Sequence, residues 1–95
     1  MATIKIGNIE LRDWTYNTNL MSYFRNSNSI SDDYGMVSIL KDSEHKYLVR
    51  FSDYLEFLGD IFDETAFQGP IDSIDDAKKQ VDDFLIRMSK LTAFT

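Results

Sequence analysis

Alternating apolar and polar residues at the start of the chain predict a β-hairpin. Two short apolar runs, residues 4–6 and 9–11, flank Gly7-Asn8, a pair that supplies the positive φ required by a two-residue turn. The register pairs apolar residues across the turn, Ile6 with Ile9 and Ile4 with Leu11. One face of this ribbon is therefore expected to be apolar.

A second hairpin is predicted in the middle of the chain. Residues 35–41 and 46–52 have strand patterns, and residues 42–45 form the turn. In the second of these strands, Tyr47, Val49 and Phe51 alternate with Lys46, Leu48 and Arg50. This is the clearest β signal in the sequence.

The segment between the two hairpins is rich in Asn, Ser and Asp. The pattern allows the second strand of the first hairpin to extend as far as Trp14 or Tyr16. The apolar cluster at residues 20–24 is compatible with one helical turn or a short strand. Residues 25–29 have no apolar period, which is typical of a loop.

The C-terminal region has the strongest helical pattern. Ser73 is a favourable N-cap, and Asp75 and Asp76 in the first turn complement the helix dipole. We therefore predict an amphipathic helix over residues 74–91. Its expected apolar stripe is Ile74, Ala77, Val81, Phe84, Leu85, Met88 and Leu91.

Residues 52–62 favour a second, shorter helix. Apolar residues at positions 54, 57, 58, 61 and 62 follow a helical stripe that is expected to be buried, and Ser52 or Asp53 is suited to cap its start. Gly59 inside the stripe weakens the pattern, so a bulged strand is the alternative. Residues 65–71 are expected to be a short extended segment or a turn.

These elements predict a single α+β domain over residues 1–95. We expect a small antiparallel sheet of about four strands, built on the two hairpins, with the amphipathic C-terminal helix packed on one face. The length suits one domain, and the chain has no cysteine for a disulfide or a thiolate metal site. No signal peptide or membrane-spanning run is recognisable, so a cytoplasmic protein without membrane contact is expected.

Charge is distributed unevenly along the chain. The net charge is −6, and residues 53–83 contain ten acidic residues against only two lysines. Nucleic acid is a polyanion whose binding requires a basic surface, so direct nucleic-acid binding is not expected. An acidic surface instead favours a basic protein partner.

No motif in the sequence specifies catalysis, a metal or a cofactor. The single histidine, His45, falls on a predicted hairpin turn, where nothing would tune it as a general base. Adjacent carboxylates such as Asp75 and Asp76 lack the spacing of a calcium loop and are explained by helix capping. Glycine-rich phosphate loops and nucleophile elbows are absent. A non-enzymatic protein without a cofactor is therefore expected.

Thirteen aromatic residues exceed what a two-layer domain of this size normally buries. Those near the polar segment are expected to be partly exposed and available for a partner. Combined with the acidic residues, the predicted partner-binding set is Trp14, Tyr16, Tyr23, Asp53, Glu56, Asp60, Asp72, Asp75 and Asp76.

Two hypotheses of function follow from this pattern. In the first, an acidic binding protein of the inhibitor, immunity or anti-defence type engages a basic, nucleic-acid-handling protein, and its carboxylates take the place of phosphates. In the second, the chain is a small homo-oligomeric structural or assembly protein whose acidic surface keeps it soluble.

Overall fold

The computed structural model describes residues 3–28, 34–43, 46–65, 67 and 71–92. Within these ranges the strands are β1 (Ile4–Ile6), β2 (Ile9–Leu11), β3 (Thr15–Asn17), β4 (Ser22–Arg25), β5 (Val37–Ser43) and β6 (Lys46–Phe51). A single 3-10 turn (Asp53–Leu55) leads into α1 (Glu56–Thr65), and α2 (Ile74–Thr92) follows. The fold is α+β, as predicted. Glu44 and His45, at the predicted turn, lie outside the described residues.

The first hairpin is confirmed with its predicted register. Strands β1 and β2 pair antiparallel, with Ile4 opposite Leu11 and Ile6 opposite Ile9. Gly7 at the turn has a φ of 59°, in the left-handed region that glycine tolerates. The ribbon is a separate two-stranded sheet, and β2 ends at Leu11 instead of extending to Trp14 or Tyr16.

The other four strands form one antiparallel sheet in the order β3-β4-β5-β6. The hairpin β5-β6 is confirmed, whereas β3-β4 is a third hairpin that the sequence pattern did not reveal. Its turn is made locally, because the Asn17 Oδ1 accepts hydrogen bonds from the backbone N–H groups of Asn19 and Leu20. Met21 completes the turn with a φ of 52°.

The prediction of a loop over residues 25–29 is wrong for residues 25–27. Arg25 ends β4, and Ser27 forms a β-bridge with Leu11. The backbone N–H of Arg12 also donates to the Asn26 carbonyl at 2.7 Å. These bonds join the ribbon to the larger sheet, which explains why so polar a segment is buried.

Helix α2 packs on the β-structure, as predicted, but it contacts two sheets instead of one, through β1 and β5. The Ser73 Oγ accepts a hydrogen bond from the backbone N–H of Asp76 at 3.2 Å, which confirms the predicted N-cap. The centre of the predicted stripe is buried, whereas Leu91 at its end is 67% exposed. The core shared by the ribbon, the sheet and both helices contains Ile4, Ile6, Leu11, Met36, Val37, Ile39, Leu55, Leu58, Phe62, Ile71, Ala77, Val81, Phe84 and Leu85.

The second helix is confirmed, but only Leu58 and Phe62 of its predicted stripe are buried. Helix α1 and the preceding 3-10 turn bury Leu55, Leu58 and Phe62. Tyr54, Phe57 and Ile61, which were expected in the buried stripe, are exposed. The sheet beneath α1 explains the difference, since Phe51 on β6 contacts the Phe62 ring and approaches Gly59. That contact turns the Leu55 side of the helix towards the core.

Candidate functional site

Helix α1 and the 3-10 turn before it present an exposed apolar stripe to solvent. Tyr54 is 58% exposed, Phe57 50% and Ile61 38%. Their spacings of three and four residues place them along one side of a helix, where neighbouring side chains meet. Aromatic residues exposed together are a feature of protein interfaces.

Acidic side chains border this stripe. Asp53, Glu56 and Asp60 are all exposed, and their spacings of three and four residues place them on a shared side of the helix. Phe57 lies four residues after Asp53 and three before Asp60, so the aromatic ring is adjacent to both carboxylates as well as to Tyr54 and Ile61. We call this set the α1 surface: Asp53, Tyr54, Glu56, Phe57, Asp60 and Ile61.

The α1 surface is held in place from beneath. Leu55 and Leu58 are fully buried, and the Phe62 ring packs against three other aromatic rings. The distances between ring centroids are 5.8 Å to Phe51, 5.4 Å to Phe67 and 5.2 Å to Phe84. A helix anchored in this way presents its outer side chains with little ordering cost on binding.

Tyr16, Tyr23 and Asp72 from the predicted set lie together elsewhere, in a groove of about 450 Å³ between the sheet and the start of α2. The rings of Tyr16 and Tyr23 are tilted against each other with centroids 4.9 Å apart. The Lys78 Nζ lies 3.9 Å from the centroid of the Tyr23 ring, so a cation from α2 already occupies one face of that ring.

Trp14 is half-buried in a contact that joins the sheet region to α2. Its indole Nε1–H donates to the Asp82 Oδ1 at 3.0 Å, and the Arg25 guanidinium lies 5.1 Å from the Trp14 ring centroid. Arg25 is only 1% exposed and donates two hydrogen bonds to Asp82, each 3.1 Å long, and one to the Arg12 carbonyl. Trp14 thus contributes to an internal polar cluster, and Asp75 shares the shallow surface depression beside it.

The acidic residues of the predicted set occupy two separate regions. Asp53 lies two residues after the end of β6 at Phe51, whereas Asp72 lines a groove with Tyr47 near the start of β6. At the start of α2, Asp72 and Asp75 are exposed and Asp76 is half-buried.

The sequence pattern did not predict two features of the structure. The exposed stripe on α1 was assigned to the core, because helical periodicity identifies an apolar face without showing how far that face extends beyond the buried contact. The Arg25–Asp82 pair joins residues 57 positions apart, and no local pattern signals it. Every buried side-chain nitrogen and oxygen of the described residues has a hydrogen-bond partner.

Within the ranges that the structure describes, no three His, Asp or Glu side chains are grouped where they could hold a metal ion. In the same part of the chain, neither α1 nor α2 has the length and apolar character needed to cross a bilayer. Comparisons with models of known families, with curated proteins and with solved structures found no match.

Proposed function

We propose that this chain is a non-enzymatic binding protein that uses the α1 surface to engage a basic protein partner. The observation that carries the proposal is the exposure of Tyr54, Phe57 and Ile61 in one stripe beside the carboxylates of Glu56 and Asp60. Aromatic anchors supply buried contact area, and the acidic border selects a partner of opposite charge.

The charge distribution supports a basic partner. Ten of the sixteen acidic residues fall between positions 53 and 83, and the chain has a net charge of −6. Such a field accelerates encounters with a cationic surface and repels nucleic acid. Because charge is depleted from the centre of interfaces, we expect the aromatic stripe to be buried and the carboxylates to form its rim.

The shape of the α1 surface favours a macromolecular partner over a small ligand. Small-molecule sites are concave pockets that enclose most of the ligand. The side chains of the α1 surface instead project from a helix, the arrangement by which helices dock into the grooves of other proteins. A basic groove on the partner would receive the stripe.

A basic groove that accepts an acidic helix is also suited to phosphates. We therefore propose that the partner is a nucleic-acid-handling protein and that binding blocks its nucleic-acid site. The carboxylates of Asp53, Glu56 and Asp60 would occupy positions that phosphates take in the partner's normal complex. This is the mode of action expected of an inhibitor, immunity or anti-defence protein.

Truncation of the central aromatic residue tests the proposal. Phe57→Ala should weaken partner binding by about 30-fold or more, since the loss of an interface anchor costs at least ~2 kcal/mol. Stability should hardly change, because Phe57 is half exposed. The measurement is capture of host proteins on the wild-type bait, followed by calorimetric titration of each retained basic protein with the wild type and with the variant.

The matched control is Leu91→Ala, which removes an apolar side chain that is 67% exposed on α2. This variant should retain wild-type affinity. The role of the α1 surface would be refuted if the wild type and both variants bound the partner with equal affinity. It would also be refuted if Phe57→Ala and Leu91→Ala lost affinity equally.

A further inference from the structure

A second exposed apolar surface lies on the face of the four-stranded sheet that is turned away from the core. We call it the outer face: Leu20, Tyr34, Leu40, Leu48 and Arg50, which line a groove of about 350 Å³ with Ser22 and Ser38. Leu40 and Leu48 face each other across β5 and β6, and they are 41% and 47% exposed. Tyr34, at 51%, adds an aromatic ring at the rim of the groove.

Among the residues that the structure describes, the charge of the outer face is opposite to that of the α1 surface. Arg50 is exposed, and its guanidinium lies 5.0 Å from the Tyr34 ring centroid. None of the described residues lining this groove is acidic. Lys46 lies two residues before Leu48 on β6 and is also exposed, although its Nζ is 3.8 Å from the Asp42 carboxylate.

We infer that the outer face of one copy of the chain receives the α1 surface of a second copy. Both surfaces combine apolar side chains with charge, and the charges are complementary. The Phe57 ring would enter the groove between Leu40 and Leu48, while Glu56 and Asp60 would approach Arg50. An aromatic anchor in an apolar pocket beside an opposite charge is the usual composition of an interface centre.

Pairing of two β6 edges is a less favourable way to cover the same region. Strand β6 lies at the edge of the sheet, and a symmetric antiparallel pair centred on Leu48 would place Lys46 opposite Arg50 of the other copy. Like charges directly opposite each other destabilise strand pairs. The contact between the α1 surface and the outer face joins different patches, so it is heterologous and repeats from copy to copy.

A charge-swap experiment on the purified protein tests this inference. Sedimentation velocity should show that the wild-type chain associates as concentration rises. Arg50→Glu should weaken association at least ~10-fold, as should Glu56→Lys combined with Asp60→Lys, because each change puts like charges in contact. Mixing the two variants restores opposite charges at both junctions and should restore association.

The control is Arg12→Glu, which makes the same change in net charge at an exposed position outside both surfaces. It should associate like the wild type, and circular dichroism should show that all variants are folded. The inference is overturned if the wild-type chain stays monomeric as its concentration rises. It is also overturned if the mixture of the Arg50→Glu variant with the Glu56→Lys, Asp60→Lys variant stays monomeric. No foreign partner takes part, so this result is independent of the binding proposed above.

Discussion

Replacing Phe84 with alanine is expected to lower the free energy of unfolding by about 3–5 kcal/mol. The Phe84 side chain is 2% exposed and lies where α2 meets both α1 and the sheet. Its ring centroid is 5.2 Å from that of Phe62 and 6.2 Å from that of Phe51. The truncation removes contacts to two elements and leaves a cavity that a close-packed core cannot fill.

Denaturant unfolding followed by circular dichroism measures this effect. Small domains have a total stability of about 5–15 kcal/mol, so the variant should unfold at a much lower denaturant concentration. Leu91→Ala on the same helix is the matched control and should change stability by less than about 0.5 kcal/mol. A midpoint for Phe84→Ala close to that of the control would show that the aromatic cluster is not the core.

Replacing Asp82 with alanine is expected to lower the free energy of unfolding by about 3 kcal/mol. The variant would leave the Arg25 guanidinium, which is 1% exposed, without the carboxylate that accepts two of its hydrogen bonds. Removal of one partner of a buried ion pair typically costs 3–5 kcal/mol. We expect the lower end of that range because Asp82 is 27% exposed and Asp13 lies 3.7 Å from the same guanidinium.

Asp83→Ala provides the comparison, because it removes the neighbouring carboxylate, which is exposed. Its effect on the free energy of unfolding should stay within about 0.5 kcal/mol. The fluorescence of Trp14 gives a second signal, since its indole N–H also donates to Asp82. Equal stability of the two alanine variants would mean that the Arg25–Asp82 pair does not hold α2 to the sheet.

The elements that could be predicted from sequence are those with local signals. The register of β1 and β2 follows from the Gly7-Asn8 turn and the alternating residues around it. The start of α2 follows from Ser73, whose hydroxyl caps the helix as expected. In each case, the residues that determine the structure lie within a few positions of one another.

The features that escaped prediction depend on distant contacts. Arg25 appeared to belong to a polar loop, yet it ends a strand and is buried because Asp82 lies against it. The orientation of α1 depends on its packing against Phe51, which decides that Leu55 faces the core and Phe57 faces solvent. The candidate site was missed for the same reason, although its acidic residues were identified.

The central claim is that the α1 surface, rather than net charge alone, binds a basic protein. The direct test is the association rate of the basic protein captured by the wild type, measured at low and at physiological salt. The reversal Glu56→Lys with Asp60→Lys should slow association at least ~10-fold and abolish most of its salt dependence, because long-range steering depends on these charges.

The matched reversal Glu10→Lys with Asp83→Lys changes the net charge equally at exposed positions outside α1. This control should keep a rate close to that of the wild type, with the same steep fall as salt increases. Equal rates for the two double variants, or a wild-type rate that does not respond to salt, would contradict the claim.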